Sequence, residues 1–164
     1  MILKKLKLHN FRGYKDTEIE FDEQMNVIVG RNDVGKSTIL EALEIFFNPD
    51  SKQVKLEEQD LYVRREDDEI KISCSFLLED GEILVDTSVK TGLEEEYLYN
   101  SEKLLEIVQI SNKGKKIVNY INANYPKRYS KTPLVQLKIN DLKKELEKYK
   151  EEIENYSEIN KSIS

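Results

Sequence analysis

The run Gly30-Arg31-Asn32-Asp33-Val34-Gly35-Lys36-Ser37 constrains this chain more than any other feature. It matches G-x-x-x-x-G-K-[ST], a spacing that means something only between a strand and a helix. Both neighbours read correctly. Met25-Asn26-Val27-Ile28-Val29 is a short, β-branched apolar run of the kind that forms a buried strand. After the loop, Ile39, Leu40, Leu43, Phe46 and Phe47 recur at helical spacing, and Asn48-Pro49 stops the helix. The two glycines let the backbone curl so that its N–H groups converge on a phosphate, which a Cβ would obstruct. The following helix adds its N-terminal partial positive charge. Lys36 is placed to reach the β- and γ-phosphates and the Ser37 hydroxyl to ligate Mg²⁺. The expectation is a site for a nucleoside triphosphate with Mg²⁺.

A length of 164 residues suits one domain, or a domain with an appendage. No apolar run approaches the roughly 20 residues needed to span a bilayer, and the start does not read as a secretory signal. The single cysteine, Cys74, excludes an internal disulfide and any cysteine-cluster metal site. A soluble, cytoplasmic protein without membrane partners is expected. The net charge of −6 is segregated: residues 50–104 hold 16 acidic and 7 basic side chains, and residues 105–131 hold 6 basic and one acidic. That leaves room for one basic face on an acidic protein.

Leu6 and Leu8 alternate with Lys5, Lys7 and His9, and Ile19 and Phe21 alternate with acidic residues. Two strands joined through Arg12–Asp16 are predicted. Ile70, Ile72, Cys74 and Phe76 predict another strand, turning at Glu79-Asp80-Gly81-Glu82 into Ile83-Leu84-Val85 as a hairpin. Leu104, Leu105, Ile107 and Val108 suit helix or strand, as do Val118, Tyr120 and Ile121. Ile139, Leu142, Leu146, Tyr149, Ile153, Tyr156 and Ile159 follow heptad spacing among Lys and Glu, the pattern of a coiled-coil helix.

The opening LKLHNFRGYKDTEIEF, followed by MNVIVGRNDVGKSTILEALEIFF, resembles the N-terminal segment of SMC-like ATPases. That group includes SMC proteins, RecF and the OLD-type ATPases often fused to nucleases. The resemblance covers residues 1–49 and extends to residues 69–90. It implies an α/β fold: the N-terminal part of an ABC/SMC-type P-loop head with a mixed sheet, a β-hairpin lobe and the root of a coiled-coil arm. The implied divisions are residues 1–99 as the lobe, 100–137 as a linking basic and aromatic stretch, and 138–164 as the start of the arm. Residue by residue, Arg12 matches the arginine of the N-F-R turn that approaches the phosphates, and Asn32 the position organising the γ-phosphate side. Gly30, Gly35, Lys36, Ser37 and Thr38 match the loop. Gln53 or Gln59 stands where a metal- and water-sensing glutamine is sought, and Asp60 is a similar candidate. The implied cofactors are ATP and Mg²⁺. The implied partners are the C-terminal half of the head, on the same or a separate chain, a second head, DNA and a nuclease. Work in DNA repair, DNA processing or phage defence follows.

The family's Ser-Gly signature and a Walker B run ending in Asp-Glu do not stand out here. Phe76-Leu77-Leu78-Glu79-Asp80 comes nearest to the latter but reads as a hairpin turn. No water-activating carboxylate is assigned, and the chain by itself is expected to hydrolyse ATP negligibly. A GTPase would need D-x-x-G and N-K-x-D; Asn112-Lys113-Gly114-Lys115 ends in the wrong charge. A small-molecule kinase remains a distant alternative on the loop alone. Lys113, Lys115, Lys116, Lys127, Arg128 and Lys131, interleaved with Tyr120, Tyr125 and Tyr129, suit either a nucleic-acid surface or a solvated segment. The rival class is a small, non-enzymatic nucleotide sensor that recruits a partner through its coiled coil.

Overall fold

The computed structural model describes residues 1–30, 35–49, 54–78, 92–94, 96–125 and 137–151. The chain divides into two units, residues 1–124 and residues 125–164. The first is built on β1 (Ile2–Phe11), β2 (Tyr14–Glu20), α1 (Lys36–Phe47), β3 (Glu69–Leu77), β4 (Leu105–Asn112) and β5 (Ile117–Asn122), with a 3₁₀ turn at Glu58–Asp60. The strands form one sheet in the order β2-β1-β3-β4-β5. Every pairing among the described residues is antiparallel, so the parallel component that a mixed sheet requires is not among them.

Alternation decides which face each strand buries. Leu6 and Leu8 of β1 and Ile70, Ile72, Cys74 and Phe76 of β3 are buried on one face, where Ile39, Ala42, Ile45 and Phe46 of α1 complete the core. On the opposite face, Ser73 and Ser75 are buried too. They lie opposite Lys7 and Lys5 of β1 in the register, long side chains whose stems can cover small neighbours. Lys5 Nζ lies 2.7 Å from Glu102 and 3.3 Å from Glu18, and Lys7 bridges Glu18 at 3.6 Å to the buried Glu106 at 3.4 Å. Glu106 also accepts bonds of 3.0 Å from Asn100 and from Asn122. A buried carboxylate with that many donors is compensated rather than stranded.

The β1–β2 hairpin and strand β3 form as their alternation predicts. Four expectations change. The first concerns Met25–Val29, which is not a strand: Met25, Val27 and Val29 are each over 70% exposed. An apolar run becomes a strand only where neighbours supply hydrogen bonds, and no described strand lies alongside it. The second concerns α1. Ile39 and Phe46 are buried as expected, but the core face is completed by Ala42 and Ile45, while Leu40 and Phe47 are more than half exposed. Two apolar stripes, Ile39/Ala42/Phe46 and Leu40/Leu43/Phe47, run side by side; the sheet buries the first, and the second meets it only in part, through Leu43 and the Phe47 ring 6.1 Å from Phe76.

Third, β3 pairs with β1 on one edge and with β4 on the other. Residues 79–91, including the turn predicted to follow β3 and Glu79-Asp80, lie outside the described residues. The segment expected to link, residues 100–137, supplies β4 and β5, and Asn112-Lys113-Gly114-Lys115 is their turn. Lys113 and Gly114 have φ of 55° and 65°, the left-handed pair of a tight hairpin. A Cβ on Gly114 would collide with the Glu57 and Glu58 backbone. Fourth, the heptad pattern is helical over α2 (Ile139–Glu147), followed by turn residues 148–151. Ile153, Tyr156 and Ile159 lie outside the described residues. No described helix is long and apolar enough to cross a membrane.

Ile72→Ala is expected to lower the free energy of unfolding by about 3 kcal/mol in a urea titration. Val118→Ala, on the exposed face, should cost less than about 0.5 kcal/mol. Burial pushes the Cys74 thiol up to about 12. It should therefore resist iodoacetamide at neutral pH until the protein is unfolded, as read by mass spectrometry.

Candidate nucleotide site

Helix α1 begins as a phosphate-binding helix must. Its N-cap, Gly35, takes φ 82°, a left-handed conformation open to glycine at no steric cost. No side chain caps the helix and its first turn carries no acidic residue. The first intrahelical bond is Ile39 N–H to the Gly35 carbonyl at 3.2 Å. Helix geometry thus leaves the first-turn amides without intrahelical acceptors, at the positive end of the dipole. Ser37 is exposed there, Thr38 is half-buried, and the Lys36 ammonium donates to the Gly30 carbonyl, folding back across the loop it closes. Asn32 lies outside the described residues.

Tyr14, first residue of β2, lies over this turn: its hydroxyl donates to the Gly35 carbonyl at 3.3 Å. A Cβ on Gly35 would come within 2.6 Å of that hydroxyl. Glycine is thus required twice at position 35, by φ and by the tyrosine.

Arg12 stands at the β1–β2 turn with φ 51°, an uncommon conformation for a residue bearing a Cβ. Three sets of bonds hold it. Its amide donates to the Asp60 carbonyl, and Tyr62 N–H donates to the Asn10 carbonyl at 3.0 Å. Its Nε donates to Asp60 Oδ1 at 2.7 Å, and its Nη1 donates to Glu41 Oε2 on α1. Its guanidinium also lies 5.1 Å from the Phe11 ring centroid. Burial lowers the guanidinium's proton affinity, but the bonds to Asp60 and Glu41 outweigh it and leave it above its ordinary value.

Asp60 is buried, and its second oxygen accepts from Glu57 N–H at 2.9 Å. Its oxygens serve the fold, which corrects its reading as a metal- or water-sensing residue. Gln59 donates from Nε2 to Glu57 at 2.7 Å on the same 3₁₀ turn, and Gln53 lies outside the described residues. Among the described residues, no group of three or more His, Cys, Asp or Glu is arranged to hold a metal. The Arg12–Asp60 clamp could not be read from sequence, since the partners are 48 positions apart and both types are common at surfaces.

His9 is held rather than poised. Its Nδ1 lies 2.6 Å from Asp16, and its Nε2 lies 3.0 Å from Asn10 Nδ2 and 3.5 Å from Asp67. Backbone donation from Glu69, with His9 and Asn10 beside it, holds the Asp67 carboxyl below its usual range. Of the basic stretch, Lys113 pairs with Asp68 at 3.3 Å. Lys115 and Lys116 join Lys55, Pro49, Leu56, Ile117 and Asn119 around a cleft of about 570 Å³. Among the described residues none of those three lysines forms an ion pair. Lys127, Arg128, Tyr129 and Lys131 lie outside the described residues.

The sequence model of the AAA ATPase domain family matches residues 1–164. Over 47 residues the chain is 51% identical to the DNA double-strand break repair Rad50 ATPase of Archaeoglobus fulgidus, covering 29% of this chain and 5% of that protein. It is 29% identical to the structural maintenance of chromosomes protein 3 homolog of Plasmodium falciparum, covering 98% of this chain and 18% of that protein. Against the DNA replication and repair protein RecF of Clostridium kluyveri it is 54% identical over 43 residues, covering 26% of this chain and 12% of that protein. The chain thus spans no more than about a fifth of the length of these relatives.

A solved structure from work on ATP-driven dimerization and DNA-stimulated activation of SMC ATPases superposes with a TM-score of 0.56 at 19% identity, covering 75% of this chain and 70% of that one. An SMC head bound to the C-terminal winged-helix domain of ScpA gives 0.52 at 17% identity, covering 74% and 36%. The fold is that of these heads.

Gly35→Ala is expected to weaken binding of a fluorescent ATP analogue at least about tenfold, because both the left-handed turn and the Tyr14 contact must give. Circular dichroism should show the sheet intact.

Proposed function

This chain belongs to the AAA ATPase domain family, and on that premise we propose that it is the ATP-binding N-terminal part of an SMC-like or OLD-type head. The carrying observation is the start of α1: an uncapped helix N-terminus behind a left-handed Gly35, with Lys36 and Ser37 in its first turn. Gly30, Asn32, Gly35, Lys36, Ser37 and Thr38 hold the phosphates, with Arg12 approaching them from the β1–β2 turn. Mg²⁺ suits this donor set, because an exposed Ser hydroxyl beside phosphate oxygens offers the hard oxygen ligands it prefers. Ser37 would hold it; Gln59 is a weaker choice, being engaged with Glu57. When bound, the ion supplies charge neutralisation at the phosphates.

Two uncovered apolar surfaces support a second part of the head, from the same or another chain. Met25, Val27 and Val29 are exposed before the loop, and Leu40 and Phe47 are exposed on α1. An exposed strand-like run and an uncovered helix stripe are what a sheet of further strands would bury. ATP then favours pairing of two heads, and hydrolysis parts them. The substrate of this cycle is DNA, handled in repair, processing or phage defence, alone or with a nuclease. The cluster Lys55, Lys115 and Lys116, without an ion pair among the described residues, favours a phosphate backbone as partner.

The test is ATP binding and turnover by the native full-length protein over a range of protein concentrations. Lys36→Ala should weaken ATP binding at least about tenfold, through loss of a charge-assisted contact to phosphate. Specific activity should rise with protein concentration, as head pairing requires. Equal binding by wild type and Lys36→Ala would overturn the assignment.

A further inference from the structure

We infer that Glu41 is an internal competitor for Arg12, holding its guanidinium against α1 until a phosphate takes Glu41's place. The inference rests on the reading that the N-terminus of α1 binds nucleotide. Its basis is the unequal way in which Arg12 is held. Asp60 is the fixed partner: its side chain is 9% exposed, it bonds Arg12 at Nε, and its other oxygen is tied to the Glu57 amide. Glu41 is the loose one. It is 34% exposed and takes Nη1, at the far end of the guanidinium. Among the described residues Glu41 bonds to nothing else. Breaking that contact leaves a carboxylate that water can solvate again, so the cost is small.

Position gives this pair its meaning. Glu41 follows Ser37 by four residues on α1, so the two share a face and stand one turn apart, a rise of about 6 Å. Tyr14, two residues beyond Arg12, already reaches the Gly35 carbonyl at the helix start. The β1–β2 turn therefore spans the first turns of α1, with Tyr14 at the loop and Arg12 one turn further along. In the exchange Nη1 leaves Glu41 for an anion held by the first-turn amides, while Asp60 keeps its hold on the arginine. A phosphate carries more charge than a carboxylate and accepts forked bonds from arginine, so it wins the exchange. Because the contact with Glu41 must be given up first, it limits how tightly nucleotide binds.

The experiment measures affinity of the native full-length protein for a fluorescent ATP analogue, with thermal melting as the check on folding. Glu41→Gln keeps size and shape but releases Arg12. Binding should tighten about three- to tenfold, within the range of a part-exposed ion pair. The gain should vanish when Arg12→Ala is added, as a double-mutant cycle requires for a coupled pair. If Glu41 only braces the helix, Glu41→Gln will bind ATP no tighter than wild type, and the inference falls. A gain that persists without Arg12 would overturn it too, since removal of a nearby negative charge would then suffice. Lys36→Ala run in parallel separates the failures. Where Lys36→Ala weakens binding and Glu41→Gln does not tighten it, competition alone is wrong. Where Lys36→Ala changes nothing, the nucleotide site itself is wrong.

Discussion

The charge-assisted bond between Arg12 and Asp60 organises the site, because it holds a strained turn against two elements distant in sequence. A left-handed arginine persists only where its surroundings over-determine it. Here the Arg12 amide, Nε and Nη1 are taken by the Asp60 carbonyl, the Asp60 carboxylate and Glu41. Leu61 bridges Phe11, and Tyr62 bonds Asn10, so residues 60–62 lie along the end of β1. With the turn pinned, Tyr14 falls over Gly35 and the start of α1 is set relative to the sheet. The phosphate loop's helix is thereby positioned from two sides, by apolar packing beneath and by polar bonds at its N-terminal end.

The sheet divides its two faces by chemistry. One face is apolar and covered by α1, with Ala42 allowing close approach and Phe46 filling the space beside Phe76, their ring centroids 6.2 Å apart. The other is laced by Lys5, Lys7, Glu18, Glu102 and Glu106. Apart from those of the buried Glu106, these are exposed pairs that contribute little each, but together they make the face specific in its register. The second apolar stripe of α1 and the run Met25–Val29 have no such polar cover.

Much of the fold was legible. β1, β2 and β3 alternate cleanly because one face of each meets the core and the other meets charge. The helix after Gly35 was legible because its apolar spacing and its stop at Asn48-Pro49 are local, while residues 31–34 of the loop before it lie outside the described residues. The strand character of β4 and β5 was not, since IVQIS and IVNYI satisfy helix or strand equally over so short a span. Asn112-Lys113-Gly114-Lys115, which begins like a base-reading motif, is a turn whose glycine is demanded by the backbone of Glu57. Asp60, a candidate beside Gln53 and Gln59 for sensing metal or water, is buried and bonds Arg12 and the Glu57 amide.

The sequence by itself determined the helix that begins at Lys36 and the strands with period-two burial, because each follows from residues within a few positions of one another. Tertiary structure alone decided which stripe of α1 is covered, that β3 pairs with β4, and that Arg12 is held between Asp60 and Glu41. Those outcomes depend on which distant segments occupy the same space. Hydrogen-bond edges and apolar faces can each be used only once, and local pattern carries no record of which partner takes them.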